Sequence, residues 1–292
     1  MFSKAYEIAS KFTHPVIVSI RFFDKTVEGG LGSFIILNDE GWIITAAHIL
    51  APAFGQQQHA KEITDYNNQV KAIKENDKLK SHLKQRQLKN LKPNNKWITN
   101  CSFWWGHDLF KINHFEILRE NDLAIGKIEN YDKRFLNVYP KLKRPENLKY
   151  GTSLCKLGFP FHSVKNDYDE ATNSFKLAPG VLPVPRFPID GIFTREAYAG
   201  KSMDGKFDIK FIETSTPGLK GQSGGPTFDV LGNIWAIQSQ TINLDLGFAP
   251  KIKRDKKEIE ENQFINLGLG VHVATLIDFL TDKGVKFELS DE

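Results

Sequence analysis

Cysteine is nearly absent from this chain of 292 residues, which contains only Cys101 and Cys155. Two thiols cannot supply a disulfide framework or a metal site built from several cysteines. Long apolar runs are absent as well, since no stretch approaches the ~20 residues that cross a bilayer. The opening residues MFSKAYE interrupt any apolar core of a secretory signal. These absences predict a protein of the reducing cytoplasm, without a membrane span or a metal site.

The chain does contain many short apolar segments separated by turn residues. Hydrophobic residues make up 40% and charged residues 25%, as in ordinary globular proteins. The stretch from 161 to 191 is instead rich in proline and predicts loops. An apolar pattern from Ala274 to Lys283 predicts a C-terminal helix. Short strands with turn signals and one late helix predict an all-β protein made of antiparallel barrels. The predicted strands lie near 16–23, 32–37, 42–45, 97–98, 122–128, 150–160, 207–213, 234–238 and 267–273.

A segment of different character, from Gln56 to Asn95, interrupts the strands of the first half. Between Lys71 and Lys92 it carries eight basic residues against two acidic ones. Leucines and other apolar residues recur there at roughly helical spacing, which predicts an amphipathic helix ending before Pro93. The simpler interpretation is a solvated helix packed by its leucines on the body of the protein. The other is a surface for an acidic protein or a nucleic acid, for which the positive charge is the only indication.

The segment Gly221-Gln222-Ser223-Gly224-Gly225-Pro226 places one hydroxyl in a backbone that is almost bare of side chains. A nucleophilic serine requires a base within hydrogen-bond distance and N–H donors aimed at the carbonyl that it attacks. Glycines on both sides let the main chain turn sharply and approach a substrate closely. Serine, glycine and proline are also ordinary turn residues, so the segment alone does not separate a catalyst from a turn.

Two further residues fit the same chemistry. His48 follows the predicted strand at 42–45, and Asp122 stands at the edge of the strand at 122–128. A carboxylate in such a place accepts a hydrogen bond from a buried imidazole, although aspartate is equally common in turns. Taken singly, His48 is more often a packed or solvated histidine than a catalyst. Neither His107 nor His114 has the spacing of a zinc ligand.

Taken together, His48, Asp122 and Ser223 occur in the order and local settings that resemble the trypsin-like, chymotrypsin-fold serine proteases. The bacterial HtrA-type branch is the most similar. Gly32-Ser33-x-Ile35-Ile36, followed by Gly41-x-Ile43-Ile44-Thr45-x-x-His48, resembles the histidine segment of that branch. Phe211-Ile212-Glu213-Thr214 resembles its approach to the serine. The resemblance touches both halves of the chain.

The resemblance implies a serine endopeptidase that acts through an acyl-enzyme and needs no cofactor. Ser223 is the implied nucleophile, His48 the base, and Asp122 the residue that orients the histidine. The N–H groups of Gly221 and Ser223 are the implied oxyanion hole. The implied substrate pocket is lined by Thr216, Pro217, Gly218, Gln238, Ser239 and Gln240. No acidic residue lies in that set, so we expect small or medium apolar residues at the cleaved position. The alternative is a trypsin-like binding or scaffold module without activity.

The predicted architecture is one peptidase domain over 1–292, built from two six-stranded barrels. The first barrel covers about 14–135 with the helical insertion 56–95, the second about 148–275, and the C-terminal helix about 274–283. Two departures from the family pattern stand out. Gln222 occupies the position where secreted digestive relatives carry an aspartate, which predicts that the chain is not activated as they are. Too little chain follows Ala274 for the PDZ domain that HtrA-type enzymes usually add.

Overall fold

The computed structural model describes residues 1–254 and 257–291. Its helices are α1 (Ser3–Phe12), α2 (Ala51–Glu75), α3 (Ser81–Asn90) and α4 (Val273–Asp282). Its strands, in chain order, are β1 (Thr13–Phe22), β2 (Val27–Ile36), β3 (Trp42–Ala46), β4 (Ile98–Trp104), β5 (Phe115–Leu118), β6 (Leu123–Lys127), β7 (Lys141–Leu142), β8 (Ser153–Gly158), β9 (Asn166–Asp169), β10 (Ser174–Leu177), β11 (Phe187–Lys201), β12 (Asp208–Thr214), β13 (Pro226–Phe228), β14 (Ile234–Asp245), β15 (Lys251–Arg254), β16 (Lys257–Glu260), β17 (Phe264–His272) and β18 (Glu288–Leu289).

The first sheet has six antiparallel strands in the order β4-β1-β2-β3-β6-β5. Its strands are rich in β-branched and aromatic residues, which fit the pleated surface of a half-buried sheet. One face packs a cluster that includes Val16, Phe34, Ile43 and Ala124, all buried. The strand number agrees with the prediction for the first half. Within the described residues, however, β4 and β5 remain the two ends of the order, so the sheet is open.

The second sheet has eight strands in the order β13-β8-β11-β12-β17-β14-β7-β18. Since β13 pairs with both β8 and β14, six strands form a closed ring of pairings, namely β13, β8, β11, β12, β17 and β14. The other two, β7 and β18, attach through parallel pairs. Two six-stranded barrels are therefore not what the structure shows. Strands of two residues carry no periodicity, so the sequence could not predict β7 and β18.

The insertion contains two helices, α2 and α3, so the prediction of one packed helix is wrong. The break lies at Asn76, whose side chain accepts a hydrogen bond from the N–H of Lys78 at 3.0 Å. Such a local bond competes with the helix and favours a turn. No residue of either helix is buried. The leucines of the insertion consequently do not form a packed face on the body.

Among the described residues, the first part of α2 makes the hydrogen bonds that join this helix to the body, along β4. Gln56 Nε2 donates to the carbonyl of Thr99 at 2.9 Å, and the N–H of Ile98 donates to His59 Nδ1 at 2.9 Å. Further along, the ring of Tyr66 lies 5.8 Å from that of Trp97. The remainder of α2 and all of α3 extend beyond these contacts.

The C-terminal helix α4 lies within one residue of its predicted bounds. The His272 side chain caps it, since Nδ1 accepts from the N–H of Ala274 at 3.0 Å. The N-terminal helix α1 was not predicted, and it buries Ala5, Ala9 and Phe12. One apolar cluster includes residues of α1, α4 and both sheets, so a continuous core joins the two halves.

None of the helices in the described residues is both long and apolar enough to cross a membrane.

Candidate active site

The register of β3 and β6 brings His48 and Asp122 together. These strands are antiparallel neighbours, with Ala46 opposite Leu123. His48 follows the end of β3 by two residues, and Asp122 immediately precedes β6. The N–H of Ala47 also donates to the carbonyl of Asp122 at 3.1 Å. Two residues that are 74 positions apart in sequence therefore meet at one edge of the first sheet.

The Asp122 carboxylate holds both the backbone and the ring of His48. Asp122 Oδ1 accepts from the N–H of His48 at 2.8 Å, and Oδ2 lies 2.8 Å from His48 Nδ1. An ionised carboxylate can only accept, so this contact places a proton on Nδ1 and leaves Nε2 able to act as a base. Asp122 has φ of 55°, a left-handed conformation that aspartate tolerates better than most residues. Half of the His48 side chain is exposed, so its outer edge is accessible.

The hydrogen bonds that Asp122 accepts also keep it charged. Burial by itself would raise the pKa of this carboxyl. The bonds from the His48 ring and the Ser239 hydroxyl outweigh burial and hold the pKa below its usual range. Asp122 is therefore a carboxylate at neutral pH and can stabilise a positive charge on the imidazole ring.

Ser223 is positioned by contacts from both sheets. On one side, the N–H of Gly224 donates to the carbonyl of Gln238 at 2.8 Å. On the other side, the N–H of Ser33 in β2 donates to the carbonyl of Ser223 at 2.8 Å. Gly224 has φ of 82°, and a Cβ there would lie 2.1 Å from the carbonyl oxygen of Ser33. The glycine after Ser223 is thus required by the close approach of the two sheets.

Ser239 connects the nucleophile candidate to Asp122. The Ser223 hydroxyl donates to the carbonyl of Ser239 at 3.4 Å, and the Ser239 hydroxyl donates to Asp122 Oδ2 at 2.5 Å. In the described part of the chain, no hydrogen bond joins Ser223 to His48. Ser239 was predicted in the substrate pocket, and its contact with Asp122 was not predicted. Ser239 lies in β14 of the second sheet and Asp122 directly precedes β6 of the first, so the contact joins the two sheets and no local sequence pattern indicates it.

The backbone before Ser223 presents two unused donors. Across the residues that the structure describes, neither the Gly221 N–H nor the Ser223 N–H donates a hydrogen bond. Gly221 has φ of 99°, and a Cβ there would lie 2.5 Å from the carbonyl oxygen of Phe159. The buried Gln222 side chain braces this turn, since Oε1 accepts from the N–H of Leu219 at 2.9 Å and Nε2 donates to the carbonyl of Phe187 at 3.4 Å. Both N–H groups are therefore free to donate to another molecule.

The predicted pocket residues come together as two facing segments that already touch. The carbonyl of Gly218 accepts from the Thr241 hydroxyl at 2.6 Å. A Cβ on Gly218 would lie 2.1 Å from Gln238 Nε2, so the Gln238 side chain fills the space beside it. Thr216 and Pro217 stand on the Gly218 side, and Ser239 and Gln240 stand on the Gln238 side. The space between the segments is therefore narrow.

A buried lysine, which the sequence analysis missed, supports one of these segments. The Lys156 side chain comes from β8 and is almost fully buried. Its ammonium donates to Thr214 Oγ1 at 3.0 Å, the Thr216 carbonyl at 2.5 Å and the Pro217 carbonyl at 2.9 Å. Burial lowers the pKa of Lys156 to about 8. Three oxygen acceptors satisfy its three donors, so Lys156 holds the backbone of Thr216 and Pro217 in place from the protein interior.

The site contains no cluster suited to a metal ion. Over residues 1–254 and 257–291, no three His, Cys, Asp or Glu side chains are arranged to hold one.

A comparison with protein-family models matches residues 32–237 to the trypsin-like peptidase domain. That range covers more than half of the chain and includes His48, Asp122 and Ser223. The chain belongs to the trypsin-like peptidase domain family. A search of curated proteins finds no match.

Solved structures with a similar fold include HtrA-type proteases. One is the HtrA-type protease AlgW with a decapeptide, at 14% sequence identity and a TM-score of 0.50, covering 97% of this chain and 68% of that one. Another is AlgW with a tripeptide, at 15% identity and a TM-score of 0.49, covering 98% of this chain and 65% of that one. This trypsin-like chain therefore spans about two thirds of the length of those proteins.

Proposed function

We propose that this trypsin-like chain is a serine endopeptidase that hydrolyses peptide bonds through Ser223, His48 and Asp122. The contact of the Asp122 carboxylate with both His48 and Ser239 is the observation that carries the proposal. Through Ser239 that contact reaches the Ser223 hydroxyl. The membership in a peptidase family supports the same reaction class.

In the proposed reaction, Ser223 Oγ attacks the scissile carbonyl and forms a bond to its carbon. His48 Nε2 takes the hydroxyl proton and then gives it to the leaving nitrogen as the peptide bond breaks. Water next attacks the acyl-enzyme, one of its protons passes through His48 to Ser223 Oγ, and the ester bond to Oγ breaks to release the acid product. Before the first step the Ser223 hydroxyl turns from the carbonyl of Ser239 toward His48. Such adjustments are common, since catalytic hydrogen bonds often tighten only when substrate binds.

The N–H groups of Gly221 and Ser223 are proposed to bind the oxygen that becomes negative during the attack. Neither donor is used within the described protein, and Gly221 has the positive φ of 99° that glycine adopts readily. Loss of one donor of this kind typically costs about 2.7–4 kcal/mol of transition-state stabilisation.

The pocket geometry supports a preference for small or medium apolar residues at the cleaved position. The bond from Thr241 to Gly218 narrows the space between the two segments, and the Gln238 side chain occupies part of it. The Lys156 ammonium behind Thr216 and Pro217 adds a positive charge, which disfavours lysine and arginine.

Digestion of a peptide library by the wild type tests the proposal. We expect cleavage after small or medium apolar residues, and loss of all cleavage in Ser223→Ala. Ser174→Ala, at an exposed serine of the β9–β10 hairpin, is the matched control and should behave like the wild type. Turnover by Ser223→Ala within tenfold of the wild type would end the assignment. A folded wild type that cleaves nothing would favour the alternative, an inactive binding or scaffold module. A cleavage profile dominated by lysine or arginine would refute the proposed preference for small or medium apolar residues.

A further inference from the structure

A cleft of about 490 Å³ lies beside the loop that carries Ser223. Its size falls within the ~300–1,000 Å³ of ordinary ligand pockets. The residues that matter here are Leu31, Phe159, Phe161, His162, Leu219 and Lys220, which all line it.

The cleft shares its backbone with the proposed oxyanion hole. Leu219 and Lys220 directly precede Gly221, and the N–H of Phe159 donates to the Gly221 carbonyl at 3.0 Å. On the other wall, Leu31 lies two residues before Ser33, which bonds to the backbone of Ser223. A group seated in the cleft is therefore adjacent to the position of the reacting carbonyl.

The cleft lies on the side of Ser223 that the pocket for the cleaved residue does not use. That pocket is formed by Thr216 to Gly218 and by Gln238 to Gln240, and the cleft contains none of these residues. A peptide chain crosses the nucleophile once, so its two directions leave on different sides. In the proposed function, the substrate residue before the scissile bond binds in the pocket. The substrate residues after the scissile bond are therefore placed on the side of the cleft.

The cleft walls are mostly apolar, and one of them is strained. Leu31 and Leu219, both partly exposed, provide aliphatic surface, and the exposed Phe161 provides aromatic surface. Phe161 has φ of 60°, which is uncommon for a bulky residue, and its side chain is 79% exposed. Its ring meets the ring of Phe187 edge-on, with centroids 5.2 Å apart. Backbone strain that presents an exposed aromatic ring is typical of binding sites.

The charges around the cleft are of one sign. Lys220 is exposed, and in the described residues it has no ion pair or hydrogen bond through its side chain. None of the described residues that line the cleft is an aspartate or a glutamate. His162 is the other ionisable residue, and its Nε2 donates to the carbonyl of Val181 at 2.8 Å. An unpaired ammonium beside apolar walls is complementary to a carboxylate next to an apolar side chain.

We propose that this cleft binds the substrate residues that follow the scissile bond and selects an apolar residue next to an acidic one, through Lys220. This inference rests on the proposed endopeptidase function and names a part of its substrate.

Capture of the acyl-enzyme by added dipeptide amides tests the cleft directly. The acyl group is supplied by N-acetyl-alanine thiobenzyl ester, and the amine of the dipeptide competes with water for the ester carbonyl. The new amide bond forms as the bond to Ser223 Oγ breaks, and the amine proton returns to Ser223 through His48. The ratio of amide product to acid product reports binding on this side alone. The dipeptides are Leu-Glu amide and Glu-Leu amide, each compared with the version that carries glutamine.

For at least one of the two dipeptides, we expect the ratio of amide to acid product to be about two- to fivefold higher with glutamate than with glutamine at low salt. This is the range expected for an exposed ion pair. High salt should reduce the difference. Lys220→Met should abolish the difference and Lys220→Glu should invert it. The control Lys4→Met, at an exposed lysine of α1, should keep it. Equal capture of glutamate and glutamine dipeptides by the wild type, or a preference that survives in Lys220→Met, would overturn the inference. If the wild type hydrolyses no ester, the proposed function itself fails, which is a different result.

Discussion

At the scale of single residues, the proposed chemistry depends on the three groups that meet around Asp122. Its carboxylate accepts from the His48 backbone, the His48 ring and the Ser239 hydroxyl. These bonds fix the imidazole in one orientation and one tautomer. This tautomer leaves His48 Nε2 without a proton, as a base requires.

The first prediction concerns the triad variants. Ser223→Ala and His48→Ala should each remove peptidase activity almost completely, and the double variant should be no worse than either single one. Residues that act as a unit are not additive. Asp122→Asn should lose about 10⁴-fold in kcat, since an amide favours the wrong histidine tautomer. Steady-state kinetics on one cleaved peptide measures all four variants. Additive losses in the double variant would contradict the joint mechanism.

The second prediction concerns Ser239, whose hydroxyl the structure places on Asp122. A hydrogen bond to a charged group is worth about 1.5–3 kcal/mol, so Ser239→Ala should lower kcat by about tenfold or more. Ser239→Thr keeps a hydroxyl and should recover part of the loss. Kinetics and thermal melting are measured on the same samples. A fall in melting temperature with unchanged kcat would assign Ser239 a structural role only.

At the scale of elements, the insertion is built in two parts. The first part of α2 is bonded to β4 through Gln56 and His59, and Tyr66 contacts Trp97. The distal part, with α3, carries most of the excess positive charge and buries no side chain. Because Tyr66 and Trp97 are in contact, the distal part can be removed and its ends rejoined by a short linker.

The third prediction is that the distal part affects protein substrates or partners and not the chemistry. Replacing residues 68–92 with a short Gly/Ser linker should leave ester hydrolysis nearly unchanged, because no contact with β4 is lost. Cleavage of a protein substrate, or binding of an acidic partner, should weaken, with an attraction that falls as salt rises. Replacing all of 56–95 is the comparison variant and should also lower the melting temperature.

If the shorter replacement lowers ester hydrolysis and protein cleavage in parallel while the protein stays folded, the distal part belongs to the catalytic scaffold. If it changes neither, the distal part has no role in substrate selection and the prediction is wrong.

Several elements could not be predicted from the sequence. The strand β11 runs from Phe187 to Lys201, where the prolines before it suggested only loops up to residue 191. Its residues alternate irregularly between buried and exposed, so no clear period of two is present. The helix α1 is different, because its buried residues Ala5, Ala9 and Phe12 recur at helical spacing, so its pattern is present in the sequence although the helix was not predicted. In contrast, the strands around His48 and Asp122 have the regular apolar pattern that makes such segments predictable.

The site residues also divide into those that local sequence patterns predict and those that they do not. His48, Asp122 and Ser223 were predicted because each stands in a recognisable local segment. Ser239 on Asp122 and Lys156 behind Thr216 were missed, because both contacts form between segments that are distant in sequence. Local patterns carry no information about which side chains such pairings bring together.

At the scale of the whole molecule, one partly buried and one buried histidine are expected to make the fold sensitive to acid. His14 lies against Phe34, and burial lowers its pKa to about 4. Burial likewise lowers the pKa of His272, at the start of α4, to about 4, although Glu196 lies near it. Both are neutral in the folded protein well below the value at which an unfolded histidine takes a proton.

The fourth prediction follows from these two pKa values. Between about pH 6.5 and pH 4 the unfolded chain binds protons that the folded protein does not, so the free energy of unfolding should fall as the pH is lowered. The stability that depends on neutral His14 and His272 should be fully present above about pH 6.5. Each histidine should contribute on the order of 3 kcal/mol to the fall in the free energy of unfolding between pH 6.5 and pH 4. Urea unfolding at a series of pH values measures it. His14→Gln should flatten the dependence, and His82→Gln, at an exposed histidine of α3, should not. A free energy of unfolding that is constant over this window would contradict the account.

The most direct test of the central claim is whether Ser223 is an activated nucleophile. A fluorophosphonate probe attacked by Ser223 forms a stable phosphonyl ester, and mass spectrometry of the digested protein locates it. The account predicts labelling of Ser223 in the wild type, loss of labelling in His48→Ala and strongly slowed labelling in Asp122→Asn. Labelling of another residue, or labelling of Ser223 that His48→Ala leaves unchanged, would contradict it.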